Sequence, residues 1–106
     1  MRGYTKGIKY KQYFEKMLEE NEVLFTEFEN WHRLYQKRQL SQEEYNQKGA
    51  MVMKVIKEWE TRLCAHMESG QYGTYSAKLA EKFWEEVRKK FPLIDFVGVK
   101  IEKVAP

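Results

Sequence analysis

The strongest constraint on this chain is a ladder of apolar residues spaced alternately four and three apart, across a stretch free of glycine and proline. Between Lys9 and Arg38 it runs through Tyr10, Phe14, Met17, Leu24, Phe28, Trp31 and Tyr35, with Asn21 in its one polar slot. Such spacing puts every member on one stripe of an α-helix. A second column, Leu18, Phe25 and His32, widens the stripe. At 1.5 Å per residue the run predicts a helix over 9–38, about 45 Å long.

Ser41 followed by Glu44 has the pattern of a capping box, so a second helix is expected over 41–69, ending near Gly70. Its stripe is Tyr45, Gly49, Val52, Ile56, Trp59, Leu63 and His66. In an antiparallel hairpin folded near residue 40, facing positions have numbers that add to about 80, and the two ladders meet this condition rung by rung. Tyr35 then faces Tyr45, Trp31 faces Gly49 as a large residue against none, and Asn21 faces the indole N–H of Trp59. Outward pairs of the favourable orientation, Glu29 with Arg33, Glu44 with Lys48 and Glu58 with Arg62, are expected on the solvent side.

The stretch from Ser69 to Ser76 contains two glycines and two tyrosines, Tyr72 and Tyr75, and is expected as a loop that roofs the open end of the hairpin or contacts a ligand. A third helix over 75–91 follows, with Leu79, Ala80, Phe83, Trp84, Val87 and Phe91 on a broad apolar face, stopped by Pro92. Beyond it β-branched residues dominate, and Val97, Val99 and Ile101 alternate with Gly98, Lys100 and Glu102, which predicts a β-strand over 94–104. The expected fold is thus one mostly α domain spanning 1–106: a long antiparallel helical hairpin, a shorter third helix and one C-terminal strand.

Composition narrows the function classes. Seven Tyr, six Phe and three Trp argue for a packed core and against disorder. The net charge of +3 arises from 19 basic and 16 acidic side chains interspersed along the chain, a bias too mild to signal a polyanion binder by itself. A lone cysteine, Cys64, excludes an internal disulfide and a cysteine metal cluster, and a reducing, cytoplasmic setting is expected. No apolar run approaches the roughly 20 residues of a membrane span, and the first thirteen residues are too polar for a signal peptide.

Chemistry-bearing patterns are sparse. Glu29 and His32 form the E-x-x-H step of di-iron bundles, but the facing helix offers no second step and places Gly49 and Val52 opposite. Cys64 and His66, two apart on a helix, point about 200° away from each other, so they do not form a nucleophile pair. No phosphate loop, nucleophile elbow or zinc spacing occurs. Neither a catalytic residue nor a metal or cofactor site is expected.

Two functional expectations follow. A third helix of about 15 residues spans only half of a 45 Å hairpin, and the strand lacks an internal mate. Both features point to a non-catalytic protein-interaction or homo-oligomerisation module, a homodimer or a complex with another protein, using Val97, Val99 and Ile101 of the strand and Phe83, Trp84 and Val87 of the third helix. The alternative is an accessory nucleic-acid binder that uses the basic and aromatic N-terminal stretch, with Arg2, Lys6, Lys9 and Lys11 as phosphate contacts.

Overall fold

The computed structural model describes residues 5–65 and 72–100, with side chains described for 10–65 and 78–100. Four helices follow one another: α1 (Thr5–Glu20), α2 (Glu22–Gln36), α3 (Gln42–Ala65) and α4 (Tyr72–Lys90), and a 3-10 turn (Ile94–Phe96) comes after them. The body measures 58 × 29 × 18 Å, and its radius of gyration of 16.1 Å exceeds the roughly 13 Å of a compact domain this size. A hairpin longer than one core requires has this elongated shape.

The first predicted helix is two helices joined at a kink. Asn21 adopts φ −126°, ψ 40°, outside the helical region. The hydrogen-bond ladder nevertheless crosses the joint, from Asn21 N–H to Met17 O (3.1 Å) and from Phe25 N–H to Asn21 O (3.0 Å). The Asn21 side-chain amide also donates to Met17 O, at 3.0 Å. Short amide side chains compete for backbone groups in this way, and insertion into the ladder bends a helix. Asn21 therefore bonds within its own helix instead of pairing with Trp59. The indole of Trp59 packs edge-on against Tyr13 at 6.0 Å, with Arg62 over its face.

The hairpin register agrees with expectation at the turn and departs from it further along. Tyr35 and Tyr45 stack at 3.8 Å with rings parallel to within 1°. One layer on, Trp31 lies under Lys48 Nζ instead of over Gly49. The Gly49 site is occupied from the other side, because a Cβ there would lie 2.7 Å from both methyls of Val97 and 3.3 Å from Phe28. Towards the open end Trp59 meets Tyr13, displaced from the Asn21 layer by the bend. The capping box forms as predicted, with Glu44 N–H donating to Ser41 Oγ at 3.1 Å and Ser41 N–H to Glu44 Oε1 at 3.3 Å. Glu29 reaches across to Lys90 Nζ at 3.5 Å. The second helix is described as far as Ala65, and His66 to Gly70 lie outside the described residues.

Helix α4 begins at Tyr72, so part of the expected loop is helical; the side chains of Tyr72 and Tyr75 lie outside the described residues. Its apolar face packs on α1 and α3. Phe83 meets Phe14 edge-on at 6.3 Å, and Phe91 stacks near Phe25 and stands edge-on to Phe28 at 5.1 Å. Phe83, Val87, Phe91 and Ile94 are fully buried with Met17, Phe28, Tyr45, Val52, Ile56 and Leu63 in one core.

The predicted strand is absent from its described part, 94–100. Pro92 ends α4, and the chain then bonds to itself by successive turns: Ile94 N–H to Phe91 O, Phe96 N–H to Leu93 O, Val97 N–H to Ile94 O and Val99 N–H to Phe96 O. Local turns satisfy these donors without a sheet partner. Gly98 takes φ +90°, a left-handed conformation open to glycine and incompatible with a regular strand. Apolar alternation resembled a strand because Val97 points inward and Val99 outward. Residues 101–104, Ile101 among them, lie outside the described residues.

Residues 91–99 form a strap that continues from the end of α4 over the turn end of the hairpin, in contact with α2 and α3. Val97 is the peg that seats the strap on α3. Gly49→Ala should cost about 1 kcal/mol, as overpacking of about 1–3 kcal/mol outweighs a helix-propensity gain of about 1 kcal/mol. In a Val97→Ala background the same change should be neutral or stabilising. Urea denaturation of the four proteins measures the coupling, and an equal cost of Gly49→Ala in both backgrounds would disprove the contact.

Candidate interaction groove at the hairpin turn

The turn between α2 and α3 is built by a Schellman motif. Arg38 N–H donates to Tyr35 O at 2.9 Å and Gln39 N–H to Leu34 O at 2.8 Å, the double closure that ends a helix through a left-handed residue. That residue is usually glycine, and here it is Arg38, with φ +60°. It stands at one rim of a groove of about 400 Å³ lined by Tyr35, Gln36, Arg38, Leu40, Leu93 and Phe96. Phe96 is 47% exposed, a large apolar surface presented to solvent, and its ring meets Tyr35 at 6.4 Å.

The groove walls are held by side chains that bind main-chain atoms of the strap. Tyr35 Oη donates to Gln42 Oε1 at 2.6 Å, and Gln42 Nε2 donates to Asn46 Oδ1 and to Phe96 O, both at 2.7 Å. Asn46 Oδ1 accepts from Gly98 N–H at 2.7 Å while its Nδ2 donates to Val99 O at 3.0 Å. Deeper in, Tyr45 Oη donates to Leu93 O at 2.9 Å, and Leu93 N–H donates to His32 Nε2 at 3.0 Å. Gln42 and Asn46, four apart on α3, thus use both ends of their amides. Outside, Arg88 pairs with Asp95 at 2.8 Å.

Electrostatics separates the interior from the rim. Burial holds the Tyr45 phenol well above its ordinary range, with Tyr35 adding to the effect, so Tyr45 remains a donor. Burial lowers the His32 pKa, opposed by Glu29, and the neutral ring is the form that accepts from Leu93. At the rim Arg38 is exposed, as are Arg33 and Lys37 near the end of α2. The ion pairs among the described residues, Arg88–Asp95, Lys89–Glu86 and Lys90–Glu29, engage none of these three cations.

The structure distributes the sequence-predicted residues widely. Phe83 and Val87 are fully buried in the chain's own core. Trp84 is half-buried beside Arg88. Val97 is half-buried in the Gly49 notch, and Val99 is 44% exposed at the end of the strap. Lys11 is exposed on α1; Lys6 and Lys9 belong to α1 with side chains outside the described residues, and Arg2 lies outside them altogether. Glu29 and His32 turn to Lys90 and Leu93 respectively. No group of three or more His, Cys, Asp or Glu among the described residues could hold a metal ion, and no described helix is long and apolar enough to cross a membrane. Burial, then Glu60, raises the Cys64 pKa and keeps it a thiol.

Gln42, Asn46 and Leu93 were not singled out from sequence. The i,i+4 amide pair beside Tyr45 and Gly49 was the available signal, since polar residues flanking a helix glycine are placed to meet an approaching backbone. Comparison with family models, with curated proteins and with solved structures returns no match.

A non-glycine residue in the left-handed region costs about 1 kcal/mol. Arg38→Gly should therefore raise the unfolding free energy by about that amount in chemical denaturation. A loss of stability on this substitution would show that the arginine side chain anchors the turn.

Proposed function

We propose that this chain is a non-catalytic protein-interaction module that binds an extended segment in the groove at the hairpin turn. The observation that carries this reading is the combination at one place of an apolar trough, Tyr35, Leu40, Leu93 and Phe96, with the left-handed Arg38 at the rim. Backbone strain retained beside an apolar cleft is where binding residues are commonly found. An apolar side chain fits the trough, and a carboxylate nearby in the same segment suits the guanidinium, which offers a bidentate fork. The favoured partner is therefore an acidic and apolar peptide stretch of another protein.

A dimer made by pairing C-terminal strands is not proposed, because residues 94–100 turn on themselves and on α3. The groove-binding reading is tested with a displayed library of random twelve-residue peptides. Enrichment should favour Glu or Asp within three positions of Leu, Phe or Met. Arg38→Glu should weaken a selected peptide at least tenfold, about 1.4 kcal/mol, and Phe96→Ser should do the same while both variants remain folded. Arg38→Gly should bind more weakly than the wild type although more stable. Absence of enrichment, or peptides indifferent to both substitutions, would overturn the reading.

A further inference from the structure

Among the buried contacts described in the strap, the one made by His32 reverses its chemistry on protonation. Its Nε2 accepts the Leu93 N–H at 3.0 Å, which requires a neutral ring with the proton on Nδ1. The imidazole is 4% exposed and lies among the rings of Phe28 at 6.0 Å, Phe91 at 5.5 Å and Tyr45 at 6.3 Å. An imidazolium there presents a donor to a donor and gives up its hydration in a buried site. The same N–H cannot bond elsewhere without moving, because the Tyr45 hydroxyl fixes the carbonyl of the same residue.

The neighbours define which other groups take part. From α2, Glu29 lies one turn before His32, and its carboxylate is paired with Lys90 Nζ of α4. From α3 the Tyr45 phenol faces the imidazole, and its raised pKa keeps it protonated throughout the acidic and neutral range. The strap itself contributes Asp95, paired with Arg88 on the outer surface. Glu29 favours the imidazolium, but burial is the larger influence and lowers the His32 pKa.

We infer that His32 and Leu93 form an acid-sensitive latch, so that protonation of His32 raises the frequency with which residues 93–99 open from α2 and α3 while Phe91 stays seated in the core. Release removes Leu93 and Phe96 from the groove and uncovers Gly49 and Phe28. The sign follows from the docked state favouring neutral His32. The contribution of neutral His32 to holding the strap is complete above the ordinary histidine value of about 6.5, and it is lost as pH falls from there through the depressed docked value. One linked proton allows up to a tenfold rise in opening per pH unit within that window. The latch stands on the strap geometry alone; its control over binding rests on the groove reading.

The test is amide hydrogen exchange by NMR on the full chain, from pH 8 to 5, with His66→Asn in the background so that one imidazole titrates. Protection factors of Leu93, Gly98 and Val99 should fall together with the His32 ring titration, by up to tenfold per unit, while those of Val52 and Ile56 in α3 stay constant. His32→Gln supplies a non-titrating oxygen to the same N–H and should flatten the response, whereas Asp95→Asn should leave it in place. Flat protection in the unsubstituted strap, an undiminished fall in His32→Gln, or loss of the fall in Asp95→Asn would overturn the latch. Should His32→Gln fail to fold, coincidence of the ring titration with loss of protection decides, and a separation of the two by more than one pH unit refutes it. A library-selected acidic peptide separates the two proposals: strap opening with no change in its affinity keeps the latch and removes the groove, and pH-independent binding to a strap that stays closed does the reverse.

Discussion

Phe91 occupies the point where α2, α3 and α4 converge, and the path of the chain beyond it depends on that seat. Its fully buried ring touches the Phe25, Phe28 and His32 layer, so the last turn of α4 is pinned against α2 as well as α3. Pro92 follows at once and forbids further helix. The chain thus emerges at a fixed place, directed over Tyr45 and Gly49, with Leu93 between His32 and Tyr45. Burial of an aromatic ring of this size contributes more than any single hydrogen bond in the strap. The polar contacts select one path for a segment that packing has already delivered.

Periodicity was a sound guide wherever one helix face met another. The ladders around Tyr35, Tyr45 and Phe28 placed the turn, the capping box and the first layer of the hairpin correctly, because side chains at three and four spacing must share a face. It failed at Asn21, where a stripe with one polar slot looks continuous although the amide bends the helix by bonding to Met17 O. It failed again at Val97 to Val99. Alternation there is real, but the inward side chain enters a glycine notch, and main-chain groups find amides on α3 instead of a neighbouring strand. The groove was invisible for the same reason: its floor combines residues more than 50 positions apart, and its Arg38 rim depends on a backbone angle that composition does not reveal.

The groove and its rim place opposite demands on the chain. Stability favours glycine at the end of α2, and solubility favours a polar residue where Phe96 stands. Retaining arginine in a left-handed conformation and phenylalanine in solvent runs against both tendencies, and at the same end of the molecule. Among the described residues Arg33, Lys37 and Arg38 enter no ion pair, and they face solvent at the end of the molecule where Glu43 and Glu44 stand in the first turn of α3.

Besides the buried side chain of Ile94 and the half-buried one of Val97, the strap is recognised through its backbone. Gln42, Asn46, Tyr45 and His32 contact the Leu93, Phe96, Gly98 and Val99 main chain, leaving the side chain of Val99 exposed and that of Phe96 half in solvent at the edge of Tyr35. Anchoring and display are therefore separated by chemistry along a few residues. Position 99, and the outer edge of the ring at 96, can vary at little expense to the fold, which makes this end of the molecule a scaffold whose surface specificity can diversify while its architecture stays constant.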